Sequence, residues 1–223
     1  MADIDRYLAL EHELPRSHRM LVVAQDPAVT DAAGHVILDK VEVPASWLSA
    51  GPQSHRFHVV DFDATKQVFH GRHVIHDPTP GPYAGFGYDE QPSPGQEPIT
   101  FEQIEADPAL RWRFHAQNVY AIAARTLATF EEALGRRHPW AFDSHQLYLV
   151  PHAFEDENAY YSRDDHALYF GYAGGGDDAV YTCLSHDIVS HEVTHAILDG
   201  LKPGYNEPGL PDQAAFHEAF ADI

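Results

Sequence analysis

The run His191-Glu192-Val193-Thr194-His195 sets two imidazoles four residues apart, with a carboxylate beside the first. Four residues advance an α-helix by about one turn, so both rings leave the same face. Each can offer a neutral nitrogen to one metal ion, and zinc accepts that geometry. Glu192 then lies beside the metal, where it can take a proton from a water held there. No other stretch places three chemically useful groups so close together. On a polar helix the same pattern would be no more than solvated side chains. Here Ile188, Val189, Val193, Ala196 and Ile197 predict a buried helix, with Ser185 as N-cap, Gly200 as the C′ residue and Pro203 stopping continuation.

A second helix is expected shortly after. Pro211-Asp212 opens it, with Asp212 as N-cap, and Phe216, Ala219, Phe220 and Ile223 form its expected buried stripe. It carries Glu218, 23 residues beyond His195 (218 − 195), which leaves room for a turn and an antiparallel return. The Glu218 carboxylate can supply a third ligand, giving a two-His, one-Glu site with a fourth position open to water. Asp222, four residues on, shares that face and can accept the outer N–H of a ligating histidine.

The elements that must position these groups follow from periodicity. Met20 to Ala24, Val36 to Val43 and Arg56 to Phe62 are predicted strands, and residues 77–98 form a Pro/Gly-rich loop. Residues 109–134 switch to helical spacing and end at Gly135, which predicts a long buried helix. Gln146 to Val150, Asn158 to Tyr161 and Ala167 to Tyr172 return to strand pattern, followed by a glycine-rich turn at 173–178 without the Lys of a phosphate loop. The resulting division is a β-rich N-terminal region, 1–98, and an α+β unit, 99–223. The chain stops inside a helix without a C-cap, which suggests a truncated piece.

The chain of 223 residues has 34 Asp plus Glu against 14 Lys plus Arg, a formal net charge of -20. That balance argues against nucleic acid and anionic membrane surfaces as partners. Its bland reading is a solvated surface; it can also supply oxygen ligands for calcium. The first residues, Met1 to Leu14, lack a long apolar run, so no secretory signal and a cytoplasmic location are expected. The single cysteine, Cys183, excludes an intramolecular disulfide and reads as a small buried hydrophobe. Most of the 17 histidines, His115 among them, read as surface or hydrogen-bonded core residues, and the His70-to-His76 run lacks an i, i+4 pair.

HEVTHAILD at 191–199 together with HEAFAD at 217–222 resembles the thermolysin-like neutral metallopeptidase family, whose pattern is HExTH…NExxSD. Asn158-Ala159-Tyr160-Tyr161 is similar to that family's edge-strand segment. The resemblance covers about residues 99 to 223. It implies a zincin-like fold: a long buried helix, a mixed sheet with an edge strand at the cleft, and two zinc-ligand helices. It implies zinc on His191, His195 and Glu218, with Glu192 as general base and Asp222 orienting the first histidine. Asn158 and the Ala159 backbone would hold a peptide or protein substrate. Tyr205 would correspond to a transition-state tyrosine and Asp187 to a calcium ligand. The chain departs from the family in several places. His217 replaces the asparagine before the third ligand, either as support for His195 or as a competing ligand. The loop between the zinc helices is long, and the family's C-terminal helical domain is missing. The family is mainly secreted, an alternative to the cytoplasmic expectation. The rival to a zinc endopeptidase is a zinc-stabilised structural or binding module, or an inactive fragment of a larger peptidase.

Overall fold

The computed structural model describes residues 17–44, 48, 51–69, 99–175, 179–202, 204, 209 and 211–222. Tyr205, Ile223, the His70-to-His76 run, the Pro/Gly loop at 77–98 and the centre of the glycine-rich turn lie outside them. The fold is α+β. Strands β1 (Ser17–Val23) and β2 (Leu38–Pro44) form an antiparallel ribbon, with Met20 opposite Val41. Two short strands, β4 (Phe62–Asp63) and β5 (Val68–Phe69), pair with each other. The main sheet has the order β3 (Phe57–Val59), β6 (Leu147–Glu155), β8 (Ala167–Ala173), β7 (Ala159–Ser162), and β9 (Val180–Tyr181) also pairs with β8. β3, β6 and β8 run parallel, whereas β7 lies antiparallel to β8 at the edge. The expected strand at 146–150 continues to Glu155 because Pro151, which cannot donate to a ladder, sits within a register shift between Val150 and Phe154.

Helix α1 (Phe101–Ala106) starts with a capping box, in which the Thr100 hydroxyl accepts from Gln103 N–H and the Gln103 side chain accepts from Thr100 N–H. Helix α2 (Pro108–Leu134) is the long helix of the sequence pattern. Gly135, at φ +63°, ends it as expected. Between Phe114 and Ala124 every residue of α2 is buried, so its polar side chains must find partners inside. Asn118 does so twice: its Oδ1 accepts from Val23 N–H and its Nδ2 donates to the Cys183 carbonyl. Gln117 donates to the Leu21 carbonyl. These bonds tie the β1–β2 ribbon and the entry to the motif helix onto α2. Phe57 packs edge-on against Tyr120 and Trp140, joining β3 to the same core.

A 3₁₀ turn at Thr182–Leu184 leads into α3 (His186–Leu201), and α4 (Pro211–Ala221) follows. Three expected details differ. Gly200 lies within α3 rather than after it, and Lys202 is the C-cap. The glycine is needed for packing: a Cβ there would stand 2.2 Å from the Pro139 carbonyl oxygen. Asp212 is the second residue of α4, not its N-cap, because Pro211 takes the first helical position, where its missing N–H costs nothing. The inward face of α4 carries His217 and Ala221, while Phe216 and Ala219 are exposed and Phe220 is only half-buried. The face that meets α3 is therefore polar at His217, which apolar periodicity does not reveal. No helix among the described residues is long and apolar enough to cross a membrane.

Candidate metal centre

α3 carries the reactive groups on a helix whose other face is core. Val189, Val193, Ala196 and Ile197 are fully buried. One helical turn then places His191 and His195 together, with their Nε2 atoms 2.8 Å apart. Glu218 reaches across from α4. Its Oε2 lies 3.4 Å from His191 Nε2 and 3.6 Å from His195 Nε2. One ligand atom from each of the three residues lies within 4.8 Å of the other two. Zinc bonds of about 2.0–2.1 Å to nitrogen and oxygen require donors roughly 3.3 Å apart in a tetrahedron. The two carboxylate distances already match that spacing, and the imidazoles need to part by only about half an ångström.

The protonation states suit a ligand set. Burial, with the neighbouring His191 and His217 rings, holds His195 down to about 4, so it is neutral at physiological pH. His191 directs its Nδ1 at Asp222 Oδ1, 2.8 Å away, which leaves Nε2 to face the ligand cluster. The close Nε2–Nε2 contact holds a proton that a cation would replace. His195 would then carry its proton on Nδ1, which is buried and has no hydrogen-bond partner among the described residues. His217 does not supply one. Its ring lies flat on that of His195, centroids 4.5 Å apart and planes 17° apart, so it acts as a stacked wall and its buried Nε2 is also unpaired. It is not among the three-ligand cluster.

Glu192 is 7 % exposed and its Oε2 has no hydrogen-bond partner among the described residues. Burial pushes its carboxyl up to about 7, against the pull of His191 and of a hydrogen bond from the Tyr161 backbone. A carboxylate so placed can exchange protons near neutrality. It lines a cleft of about 760 Å³ together with His191, Asp222, Phe220, Asn158 and Ala159. The edge strand β7 thus borders the same cleft. Ala159 N–H donates to Asn158 Oδ1 at 2.9 Å, so an incoming backbone would have to take over that bond.

The remaining expectations fare differently. Tyr205 lies outside the described residues. Asp187 is exposed in the first turn of α3 and belongs to no cluster of three or more candidate ligands among the described residues, so nothing supports calcium there. Three supporting residues had no assigned role from sequence. Asp199, at the far end of α3, is fully buried. It accepts from both Arg163 nitrogens that face it and from the Tyr161 hydroxyl at 3.0 Å. The clamp fixes the β7 end to α3, and Tyr161 is also the residue whose backbone bonds Glu192. A carboxylate on an apolar helix face was the available signal, because such a charge needs a cation partner.

Together these groups can hold a cation and move a proton beside it, which is the chemistry of a metal-dependent hydrolase. The comparison with known families points the same way. Residues 109–199 match the family model described as thermolysin metallopeptidase, catalytic domain. Over that stretch the chain is similar to the catalytic domain of the thermolysin-like metallopeptidases. The match spans α2, the β6–β8–β7 region and α3, and it ends before α4, so Glu218 and Asp222 rest on geometry alone. No curated protein matched the chain.

Proposed function

We propose that the chain is a zinc-dependent endopeptidase that hydrolyses peptide bonds in the cleft between α3, α4 and β7. The observation that carries this reading is the convergence of His191, His195 and Glu218 donor atoms beside a buried, elevated Glu192, all next to a sheet edge. His191, His195 and Glu218 would hold the ion. When bound, zinc supplies Lewis-acid polarisation of a carbonyl and lowers the pKa of a water. Asp222 holds His191 in the tautomer that leaves Nε2 free. Glu192 takes a proton from the attacking water and delivers it to the departing amine. β7 aligns an extended peptide by strand addition, which uses main-chain bonds and so tolerates varied side chains.

Metal analysis combined with cleavage of a quenched peptide, with and without a chelator, tests the reading. We expect about one zinc at this centre, chelator-sensitive cleavage, and Glu192→Gln that keeps the metal but loses turnover. Cleavage retained in Glu192→Gln would remove Glu192 from the mechanism. Bound zinc with no cleavage of any peptide would leave the zinc-stabilised binding module as the function.

A further inference from the structure

A second group of donor atoms is buried where α2, β6 and the 3₁₀ turn meet. None of its members lines the cleft described above. His115, His152 and Cys183 are each at most 1 % exposed, and one ligand atom from each lies within 4.8 Å of the other two. His115 Nδ1 stands 2.8 Å from His152 Nε2, and Cys183 Sγ is 3.9 Å from that same nitrogen. The outward nitrogens each meet a carboxylate. His115 Nε2 is 2.9 Å from Glu105 Oε1, and His152 Nδ1 is 2.6 Å from Asp61 Oδ1. Trp112 and Tyr181 pack edge-on against the two imidazoles, at 4.8 Å from His152 and 4.7 Å from His115.

Counting protons shows what the arrangement favours. If each carboxylate accepts an N–H from its histidine, the two inner nitrogens both present lone pairs. At 2.8 Å two lone pairs repel, so the metal-free cluster must hold a third ring proton between them. That proton makes the imidazole pair cationic inside the core, and the Cys183 thiol carries a proton of its own. One divalent ion can replace both protons, the one between the rings and the one on sulfur. The net charge of the cluster is then unchanged, so loading adds no buried charge to be desolvated.

We propose that His115, His152 and Cys183 form a second, structural metal site for a borderline-soft divalent ion of the zinc class, with Glu105 and Asp61 fixing the two imidazoles. Zinc–nitrogen bonds of about 2.0–2.1 Å and zinc–sulfur bonds of about 2.3 Å call for donor separations of roughly 3.3 and 3.6 Å. The observed 2.8 and 3.9 Å lie on either side of those values, and the Cys183 and His115 donors lie within 4.8 Å, so modest shifts bring three ligands onto one ion. Each imidazole already has the carboxylate partner that ligating histidines use. Because the cluster is sealed from solvent, the ion would join α2, β6 and the start of α3 rather than meet substrate.

This site stands independently of the peptidase reading, and its test separates the two. Full-length protein produced in cobalt-supplemented medium should carry two equivalents of metal and a near-ultraviolet thiolate-to-cobalt charge-transfer band. Cys183 is the chain's single cysteine, so the band has one possible source. A His191→Ala, His195→Ala double variant should keep the band and one equivalent. Cys183→Ser should lose the band and one of the two equivalents. No variant is needed for the decisive reading. X-ray absorption at the metal edge of the zinc-loaded wild type must show a sulfur neighbour at about 2.3 Å. A shell of nitrogen and oxygen only, or a cobalt protein without the charge-transfer band, overturns the proposal.

Discussion

The Asp199 clamp gives the sharpest quantitative test of how the fold supports the centre. Asp199 has no exposed surface, and Arg163 and Tyr161 both donate to it. Breaking a buried ion pair by removing one partner costs about 3–5 kcal/mol. The two partners are not equivalent. The Arg163 side chain is 27 % exposed and can turn partly to water once its acceptor is gone. Asp199→Asn should therefore fall at the low end, about 3 kcal/mol. Arg163→Ala strands a carboxylate that has no water to turn to, and should reach about 4–5 kcal/mol. Tyr161→Phe deletes one hydrogen bond and should cost about 1.5 kcal/mol. Urea unfolding measures this, with unchanged m-values guarding the comparison. A cost below about 1 kcal/mol for Arg163→Ala would refute the clamp. Because the Tyr161 backbone also bonds Glu192, both charge-removing variants should lose peptide turnover beyond what their unfolded fraction explains.

Other perturbations report on the centre and its surroundings. Asp222→Ala should weaken zinc by about 10–100-fold in a chelator competition, towards the lower figure because Asp222 is 72 % exposed and water can replace it; an unchanged affinity would remove Asp222 from the ligand support. His217→Ala should weaken zinc about tenfold by removing the wall behind His195, while His217→Phe should stay close to wild type. Equal loss in both would mean that His217 works through a ring nitrogen rather than by stacking. His138, 2 % exposed with neither ring nitrogen paired among the described residues, is held down to about 4 by burial. Its contribution to stability is complete above the unfolded pKa of about 6.5 and is lost as pH falls towards 4, up to about 3 kcal/mol. His138→Leu should flatten that part of the pH–stability curve, and a curve identical to wild type would contradict the assignment.

Much of this was legible in the sequence because the informative groups are local. HEVTH fixes its own geometry once the segment is helical, and the i, i+4 relation of Glu218 to Asp222 carries the second helix in the same way. The long helix at 108–134 and the main-sheet strands β3, β6, β7 and β8 followed from periodicity and from the Gly135 stop, whereas the two-residue β9 did not. The inward face of α4 did not. Apolar spacing pointed at Phe216 and Phe220, whereas the face is set by the requirement that Glu218 reach the two imidazoles, which turns His217 and Ala221 inward. Gly200 was misplaced for a similar reason: it reads as a helix end but serves a close approach to the carbonyl of Pro139, 61 residues earlier in the chain (200 − 139). Partners far apart in sequence, such as Arg163 with Asp199 and Asp61 with His152, leave no local mark at all.

The two donor clusters follow one electrostatic rule, and it explains why they can coexist in a chain this acidic. In each, imidazole nitrogens face one another at 2.8 Å while carboxylates hold an outer nitrogen. Such a contact is stable only with a proton or a cation between the rings. What differs is access. Glu218 and Asp222 are mostly exposed, so the cluster between α3 and α4 opens to solvent and to the cleft. Asp61 is fully buried and Glu105 is largely covered, so the cluster between α2 and β6 is closed. An open position beside an elevated Glu192 suits turnover, and a closed one suits cross-linking. On the proposed reading, it is the solvent path and the neighbouring base, not a better set of ligands, that suit the first cluster to chemistry.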